Sequence, residues 1–266
     1  MKLLKYIFLG FIQGFTETIP VSSSGHLMIF KNIMNVDVDF NTLAIVTNFG
    51  SLIAILILFR KDISLLLKGF FRYLHSKDSY YKLEYKYVNM IIVGCIPAGL
   101  VGLLVSYFDV FEKIENNIKV VGLSLIITSI LLYLIRNFKE NKDDNNIGFF
   151  ESIIVGIFQI LGLFPGISRS GSTIVGGMFS GLKRDTAFKY SFMLYIPISL
   201  AALVLELSSI EIGGANLIYY LISTFTSFVL TLIVTKWFRK IVNEGKIVYF
   251  SVYCIILGIF IILFLK

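Results

Sequence analysis

The sequence predicts an all-α polytopic membrane protein: six transmembrane helices plus two re-entrant helical hairpins, arranged as an inverted-topology repeat. Three observations predict it. The 266 residues are 56% hydrophobic and only 15% charged, with mean hydropathy +0.83, whereas a soluble domain carries roughly 25% charged residues. Six apolar segments are long enough to cross about 30 Å of hydrocarbon. Two further apolar segments are each interrupted by a turn rich in Pro, Gly and Ser.

The six spans are 40–59, 87–107, 118–135, 187–206, 217–237 and 247–265. The third is short and is expected to extend toward Ile135 and Arg136. The basic loop 60–86, with Tyr80, Tyr81, Tyr85 and Tyr87, suits an interfacial helix, and Trp237 and Tyr249 suit an aromatic belt. The hairpins are 3–34, broken at 17–25, and 148–180, broken at 165–172. Their half-segments, about 8–15 residues each, are too short to cross. Irregular backbone at membrane depth is tolerated only where protein surrounds it or a wet cavity adjoins it. Such breaks aim helix ends at the cavity, which suits an anion.

A polar linker at 138–147, "FKENKDDNNI", divides one membrane domain into repeat one (1–137) and repeat two (148–266). In each repeat a glutamine, Gln13 or Gln159, precedes a Pro, a serine-rich turn, a Gly and then three spans. Counting crossings makes the two hairpins enter from opposite faces and meet near the midplane. Outside the two turns, the end that holds loop 60–86 and the linker carries 17 Lys/Arg against 9 acids, and the other end 6 against 7. The positive-inside rule makes the first end cytoplasmic and puts both termini outside. The net charge of +7 is thus a matter of loops facing an anionic membrane surface, and it implies no nucleic acid. Cys95 and Cys254 lie in apolar runs and read as small buried hydrophobes, with no disulfide framework. The start, "MKLLKYIFLGFIQGF", mimics a signal peptide but lacks a small-x-small cleavage site and is interrupted by Gln13 and Glu17, so it is expected to be retained.

Chemistry concentrates in the two turns, "TETIPVSSSGHL" (16–27) and "LFPGISRSGSTI" (163–174). Glu17 and Arg169 are the charges expected deep in the membrane, where an ionisable group is expensive and marks function by default. A plain Glu–Arg pair tying the hairpins together would leave Ser22, Ser23, Ser24 and His26 without a role. Gln13 and Glu17, four apart, share a helix face. Glu17 could therefore hold a divalent cation with Gln13, or orient His26. A Glu–His pair beside hydroxyls supports nucleophilic or acid–base chemistry. His75, in the basic loop, has no such company and reads as surface. Arg169 brings a planar fork of donors suited to phosphate oxygens. Ser168, Ser170, Ser172 and Thr173 surround it with hydroxyls, and Gly166 and Gly171 let backbone N–H groups approach the same anion. The sum is a phosphate or pyrophosphate site opening into lipid, for a substrate with a charged head and a hydrocarbon tail.

The chain resembles the undecaprenyl-pyrophosphate phosphatase family, the bacitracin-resistance membrane proteins. One family signature, E/Q-G-x-T-E-F-L-P-V-S-S-S/T-G-H, stands here as "QGFTETIPVSSSGH", Gln13 to His26. The other, P-G-x-S-R-S-G-x-T, stands as "PGISRSGST", Pro165 to Thr173. Thr18 takes a position where the family has an aromatic, and Asn48 and Phe49 fall in a segment that usually carries Gln or His before Leu-Gly. The resemblance covers nearly the whole chain. It implies hydrolysis of a polyprenyl diphosphate to the monophosphate and inorganic phosphate in the bacterial plasma (inner) membrane, recycling the lipid carrier for peptidoglycan and other cell-wall polymers. It also implies a homodimer and a divalent cation, Mg or Ca. Residue by residue it assigns catalysis to Glu17, Ser23, His26 and Arg169. Phosphate binding falls to Ser22, Ser168, Ser170, Thr173 and Gly171, and the metal to Glu17 and Gln13.

For the attacking group, His26, Ser23 and an activated water all remain open at the level of spacing. The closeness of His26 to Glu17 favours His26 as base or nucleophile, with Ser23 at the phosphoryl oxygen or itself the nucleophile. A transporter or flippase of a lipid-linked or small phosphate-containing anion fits the inverted repeat equally well. Phosphate release in detergent separates the two. The other large lipid-phosphatase superfamily needs a histidine late in the chain, and none follows His75.

Overall fold

In the computed structural model the described residues are 2–34, 40–108, 117–138, 141–206 and 217–265. Residues 139–140 of the linker lie outside them, as do most residues of the three connections expected at the opposite end of the bundle. The described residues form eleven α-helices and short 3-10 turns. In chain order these are α1 (Lys2–Thr16), α2 (Ser23–Met34), α3 (Phe40–Leu58), α4 (Arg60–Ser76), α5 (Lys82–Tyr107) and α6 (Ile118–Leu134). The second half holds α7 (Phe149–Leu161), α8 (Arg169–Phe179), α9 (Arg184–Glu206), α10 (Leu217–Asn243) and α11 (Val248–Phe264). The only β-pairing among them is a single bridge between Lys142 and Leu182.

Among the described residues, five helices are long and apolar enough to cross a membrane: Asn41–Leu58, Ser79–Tyr107, Ile118–Asn137, Arg184–Glu206 and Leu217–Asn243. This is an all-α, multi-span membrane protein. The short third segment does extend, through a 3-10 turn at Ile135–Asn137. α11 is apolar but has 17 residues. The last long helix runs six residues past the expected 237, to Asn243, because its final turns are amphipathic rather than lipid-like. Phe238 and Val242 are buried there, while Lys236, Arg239 and Lys240 face out. Within loop 60–86, α4 exposes Leu67, Phe71 and Leu74 along one side, the kind of apolar face with which a helix lies along an interface.

Both interrupted segments form helix–turn–helix units, α1–α2 and α7–α8. The breaks follow from the residues in them. Pro20 lacks the N–H that would continue α1. Ser22 takes a left-handed φ of 68°, and its Oγ accepts from Gly25 N at 3.2 Å, which caps α2. In the second turn Gly166 has φ +86°, and an added Cβ would meet Val121 Cα and Ser124 Cβ at 2.9 Å. Ser168 Oγ accepts from Gly171 N at 3.1 Å and caps α8.

With lipid on the outside, helices associate by close packing and interhelical hydrogen bonds. Gly10 and Gly14 let α1 lie against α10, where a Cβ at either would come within 2.4 Å of the Ser223 or Ser227 carbonyl. The same seam is stitched to α3. Ser51 Oγ lies 2.9 Å from both Ser227 Oγ and Thr231 Oγ1, and Ser227 Oγ donates to Thr47 O at 2.9 Å. On the other flank α7 packs on α5, with Gly156 against the Gly94 carbonyl at 2.5 Å from a would-be Cβ. α6 and α11 cross through Gly122 and Gly258, and through reciprocal bonds in which Ser129 Oγ and Ser251 Oγ each donate to the other's carbonyl at 2.8 Å.

One end of the bundle is laced with ions. Lys189 Nζ reaches Asp62 at 2.9 Å and Asp144 at 3.0 Å. Arg239 grips both oxygens of Asp185 at 2.8 Å, and Lys142 Nζ donates to Glu151 at 2.6 Å. The loops that the charge count assigned to one side therefore meet at one end. Trp237 and Tyr249, both exposed, flank it. His75 is exposed, Cys254 is buried and Cys95 half-buried, and both thiols are free.

The glycine seam yields the first expectation. Gly14→Ala should destabilise the detergent-solubilised protein by about 1–3 kcal/mol through overpacking. Gly99→Ala, where a Cβ would meet nothing within 4 Å, should be neutral or stabilise by up to about 1 kcal/mol. Melting curves of the two variants that fall in the reverse order would refute the packing argument.

Candidate functional site

The two turns meet at a single carboxylate. Glu17 follows the last turn of α1. Its Oε1 accepts from Arg169 Nη2 at 2.7 Å, and its Oε2 accepts from Ser23 Oγ at 2.6 Å and from Gln13 Nε2 at 2.7 Å. Ser23 is the first residue of α2 and Arg169 the first of α8. Two helix N-termini thus converge on one point, each presenting the positive end of its dipole. The turns are in contact there, since a Cβ on Gly171 would sit 3.0 Å from Pro20 Cβ.

Arg169 is held on three sides. Besides Glu17, its Nη1 donates to Ser199 Oγ at 3.0 Å, and its guanidinium lies 4.1 Å from the Tyr195 ring centroid. Tyr195 is itself fixed by donating to Asn48 Oδ1 at 3.1 Å. The Glu17 side chain is 6% exposed and the Arg169 side chain 24%. This is a largely desolvated pair whose geometry is supported by further hydrogen bonds, as a buried pair requires. Asn48 and Tyr195 fall near the middle of α3 and α9, so the pair is level with the middle of two long apolar helices. A small cleft opens at it, lined by Glu17, Gln159, Arg169, Ser170, Thr173, Ser191, Phe192 and Tyr195.

The residues singled out from the sequence divide into three groups. Glu17, Arg169, Ser170 and Thr173 line the cleft, and Gln13 and Ser23 bond Glu17. Thr173 Oγ1 also lies 2.5 Å from Ser191 Oγ. Ser22, Ser168 and Gly171 serve the helix starts instead. The Gly171 N–H expected to face an anion is spent on Ser168 Oγ, and the hydroxyls of Ser22 and Ser168 are the caps. A left-handed or extended residue just before a helix needs such a cap, which outcompetes a free role.

His26 stands apart from Glu17. Its Nδ1 lies 2.8 Å from Ser22 O and its Nε2 2.7 Å from the Tyr253 hydroxyl on α11. A carbonyl only accepts, so Nδ1 carries the proton; in the neutral ring Nε2 then accepts from Tyr253. The expectation that Glu17 orients His26 is corrected: Glu17 holds Arg169, Ser23 and Gln13, and the imidazole is turned toward α11.

Sequence reading missed Ser191, Tyr195 and Ser199. Their signal was available: three polar groups at steps of four along α9, on one face of an otherwise apolar span. Tyr253, within α11, had no such periodic mark.

For a cation, no group of three or more His, Cys, Asp and Glu side chains stands ready among the described residues. Glu17 is the one carboxylate lining the cleft. The Gln13 group turned toward it is the Nε2 donor, and both Glu17 oxygens already accept hydrogen bonds. Glu17 and Gln13 as arranged therefore do not present the free oxygen ligands that Mg or Ca requires.

Comparison with known proteins places residues 6–260 within the family model described as "Bacitracin resistance protein BacA". The chain is similar to "Undecaprenyl-diphosphatase 2" of Bacillus thuringiensis (strain Al Hakam), 38% identical over 267 residues, covering 99% of this chain and 98% of the relative. It is equally similar, at 38% and the same coverage, to "Undecaprenyl-diphosphatase 3" of Bacillus anthracis. To "Undecaprenyl-diphosphatase" of Oceanobacillus iheyensis it is 36% identical over 269 residues, 99% of this chain and 97% of the relative.

Coupling across the turns is open to measurement. Glu17→Ala leaves a largely buried guanidinium unpaired and should cost roughly 3–5 kcal/mol. Adding Arg169→Met should recover part of that loss. Additive losses of melting temperature in the double variant would mean that the two side chains do not couple.

Proposed function

Since the chain belongs to the bacitracin resistance protein (BacA) family, we propose that it is an integral membrane phosphatase hydrolysing undecaprenyl, or another polyprenyl, diphosphate. The products are the monophosphate and inorganic phosphate, and the lipid carrier returns to cell-envelope synthesis. The observation that carries this reading is the Ser23–Glu17–Arg169 chain of hydrogen bonds at two converging helix N-termini, level with the middle of apolar spans. A hydroxyl, a carboxylate and a fork of cationic donors are what phosphoryl transfer needs, and their position suits a head group entering from the bilayer.

Arg169 has five N–H donors, of which Glu17 and Ser199 use two. The others are available to non-bridging oxygens of the diphosphate, where charge builds during transfer. Ser170 and Thr173 line the same cleft, with their hydroxyls engaged within the protein. Ser23 is the nucleophile in this scheme. Its proton passes to Glu17 Oε2, 2.6 Å away, while Oγ bonds the terminal phosphorus. The bond from phosphorus to the bridging oxygen breaks and the lipid monophosphate leaves. The lipid monophosphate takes that proton from Glu17 as it leaves. Water then attacks the phosphoserine and gives a proton to the freed carboxylate. The bond from Oγ to phosphorus breaks, inorganic phosphate departs and Glu17 returns the proton to Oγ. His26 is the weaker candidate, because its Nε2 lone pair is engaged by Tyr253 in the neutral ring. It braces the α2 turn against α11 instead.

The inverted repeat is supported by the mirrored packing of α1 on α10 and α7 on α5, and by the reciprocal α6–α11 contacts. Within it, α1–α2 and α7–α8 are re-entrant hairpins and the other long helices, with α11, make six crossings. The ion-laced end is cytoplasmic and both termini are outside, supported by the excess of Lys/Arg at that end.

Three measurements bear on this. Purified protein in detergent should release phosphate from a long polyprenyl diphosphate, and no transport cycle operates there. A substrate labelled on its terminal phosphate, quenched during turnover, should leave acid-stable seryl label that is absent from Ser23→Ala. Acid-labile label lost in His26→Ala would return the attack to histidine. For topology, Lys77→Cys and Lys142→Cys in a chain lacking Cys95 and Cys254 should resist an impermeant thiol reagent in intact cells. Labelling of either position would reverse the assignment.

A further inference from the structure

One buried amide in the cleft has no acceptor. Gln159, in α7, is 1% exposed and lines the cleft beside Glu17, Arg169, Ser170 and Thr173. Its Nε2 is enclosed without a hydrogen-bond partner, an uncommon state for a buried donor. The other hairpin carries the same residue with the opposite outcome. Gln13 Nε2 donates to Glu17 Oε2, the carboxylate four residues on. Four residues after Gln159 the chain has Leu163, which offers no acceptor. The hydroxyls on the cleft wall are already engaged. Thr173 Oγ1 pairs with Ser191 Oγ and with the Arg169 carbonyl, and Ser170 Oγ lies 3.2 Å from Ser168 Oγ. An open donor beside a guanidinium, walled by hydroxyls and one carboxylate, is short of an oxyanion.

We propose that Gln159 is a substrate-contacting residue whose Nε2 donates to a non-bridging phosphate oxygen of the diphosphate. The first repeat spends its glutamine on holding Glu17, and the second spends the equivalent one on the substrate. This inference rests on the phosphatase reading of the same cleft. It assigns a function to a residue outside both turn motifs, ten residues ahead of the arginine and on the other helix of the hairpin. It also accounts for an amide where an apolar side chain would pack at less cost, since an unmet buried donor is more expensive than none.

Gln159→Met keeps length and shape and removes the donor, Gln159→Leu does so with a stiffer side chain, and Gln159→Glu turns the donor into a charge that repels phosphate. Full-length protein in detergent would be assayed for kcat and KM on a polyprenyl diphosphate. Inorganic pyrophosphate would be titrated separately, reading the shift in melting temperature with no turnover required. Gln159→Met should melt at or above the wild-type temperature without ligand. Its kcat/KM should fall about ten- to hundredfold, the range for a hydrogen bond to a charged group, its pyrophosphate-induced shift should shrink, and Gln159→Glu should be lower still. If Gln159→Met does not fold, Gln159→Leu carries the same comparison. Wild-type kcat/KM together with an undiminished pyrophosphate shift in the donor-less variants would overturn the contact. Wild-type protein that shows the pyrophosphate shift, lost in Gln159→Met, yet releases no phosphate would sink the phosphatase reading and leave the contact standing.

Discussion

The ion pair between Glu17 and Arg169 is the constraint around which the rest is arranged. An isolated charge among apolar helices is costly, and a pair repays its desolvation only when its remaining hydrogen-bonding capacity is also met. The molecule meets it from four directions. Gln13 and Ser23 fill the second carboxylate oxygen, Ser199 takes another guanidinium N–H, and Tyr195 covers the guanidinium face. These groups come from α1, the start of α2 and α9. Ser23 and Arg169, at the starts of α2 and α8, could not arrive without two broken helices, because an unbroken helix keeps its N-terminal donors at the bundle's ends. The turns exist to bring two helix starts to one carboxylate.

The scaffold keeps that meeting point rigid with small residues. Glycines on α1, α3, α5 and α7 bring backbones into contact with α10, α5 and α7 neighbours, and Ser and Thr hydroxyls then bond across the seams. A larger hydrophobic contact would gain little among lipid-facing helices, since lipid is as apolar as leucine. At one end, by contrast, the helices are joined by Lys, Arg, Asp and Glu around Lys189 and Asp185, where water can solvate what the pairs do not. Polar groups are therefore used in two ways: uncharged hydroxyls stitch the apolar length, and full charges fasten the wet end.

Hydroxyl abundance in the two turns overstates the number of groups free to bind. Ser22 and Ser168 are caps, and the Gly171 N–H is consumed by one of them. The helix starts they make present the positive ends of two dipoles, and these hydroxyls are committed to the backbone. His26 is likewise committed within the protein, tied to the Ser22 carbonyl and to α11 through Tyr253.

The linear sequence determined the long apolar helices, the two interruptions and the two charges that meet there. Each rests on a local property: length of an apolar run, Pro and Gly in a turn, or an ionisable group where hydration is absent. The same logic marked Gln13 as a neighbour of Glu17, because spacing of four on a helix is a short-range fact. Only the tertiary structure decided which hydroxyl reaches the carboxylate. Ser23 and His26 are three residues apart just after a left-handed serine, and the direction of each side chain follows from that backbone and from the position of α11. The tertiary fold likewise brought Ser191, Tyr195 and Ser199 of α9 around Arg169, left Gln159 facing the cleft without an acceptor, and committed Gly171 to a cap. Side-chain direction in an irregular turn, and contacts across well over a hundred residues of chain, depend on packing that local sequence does not encode.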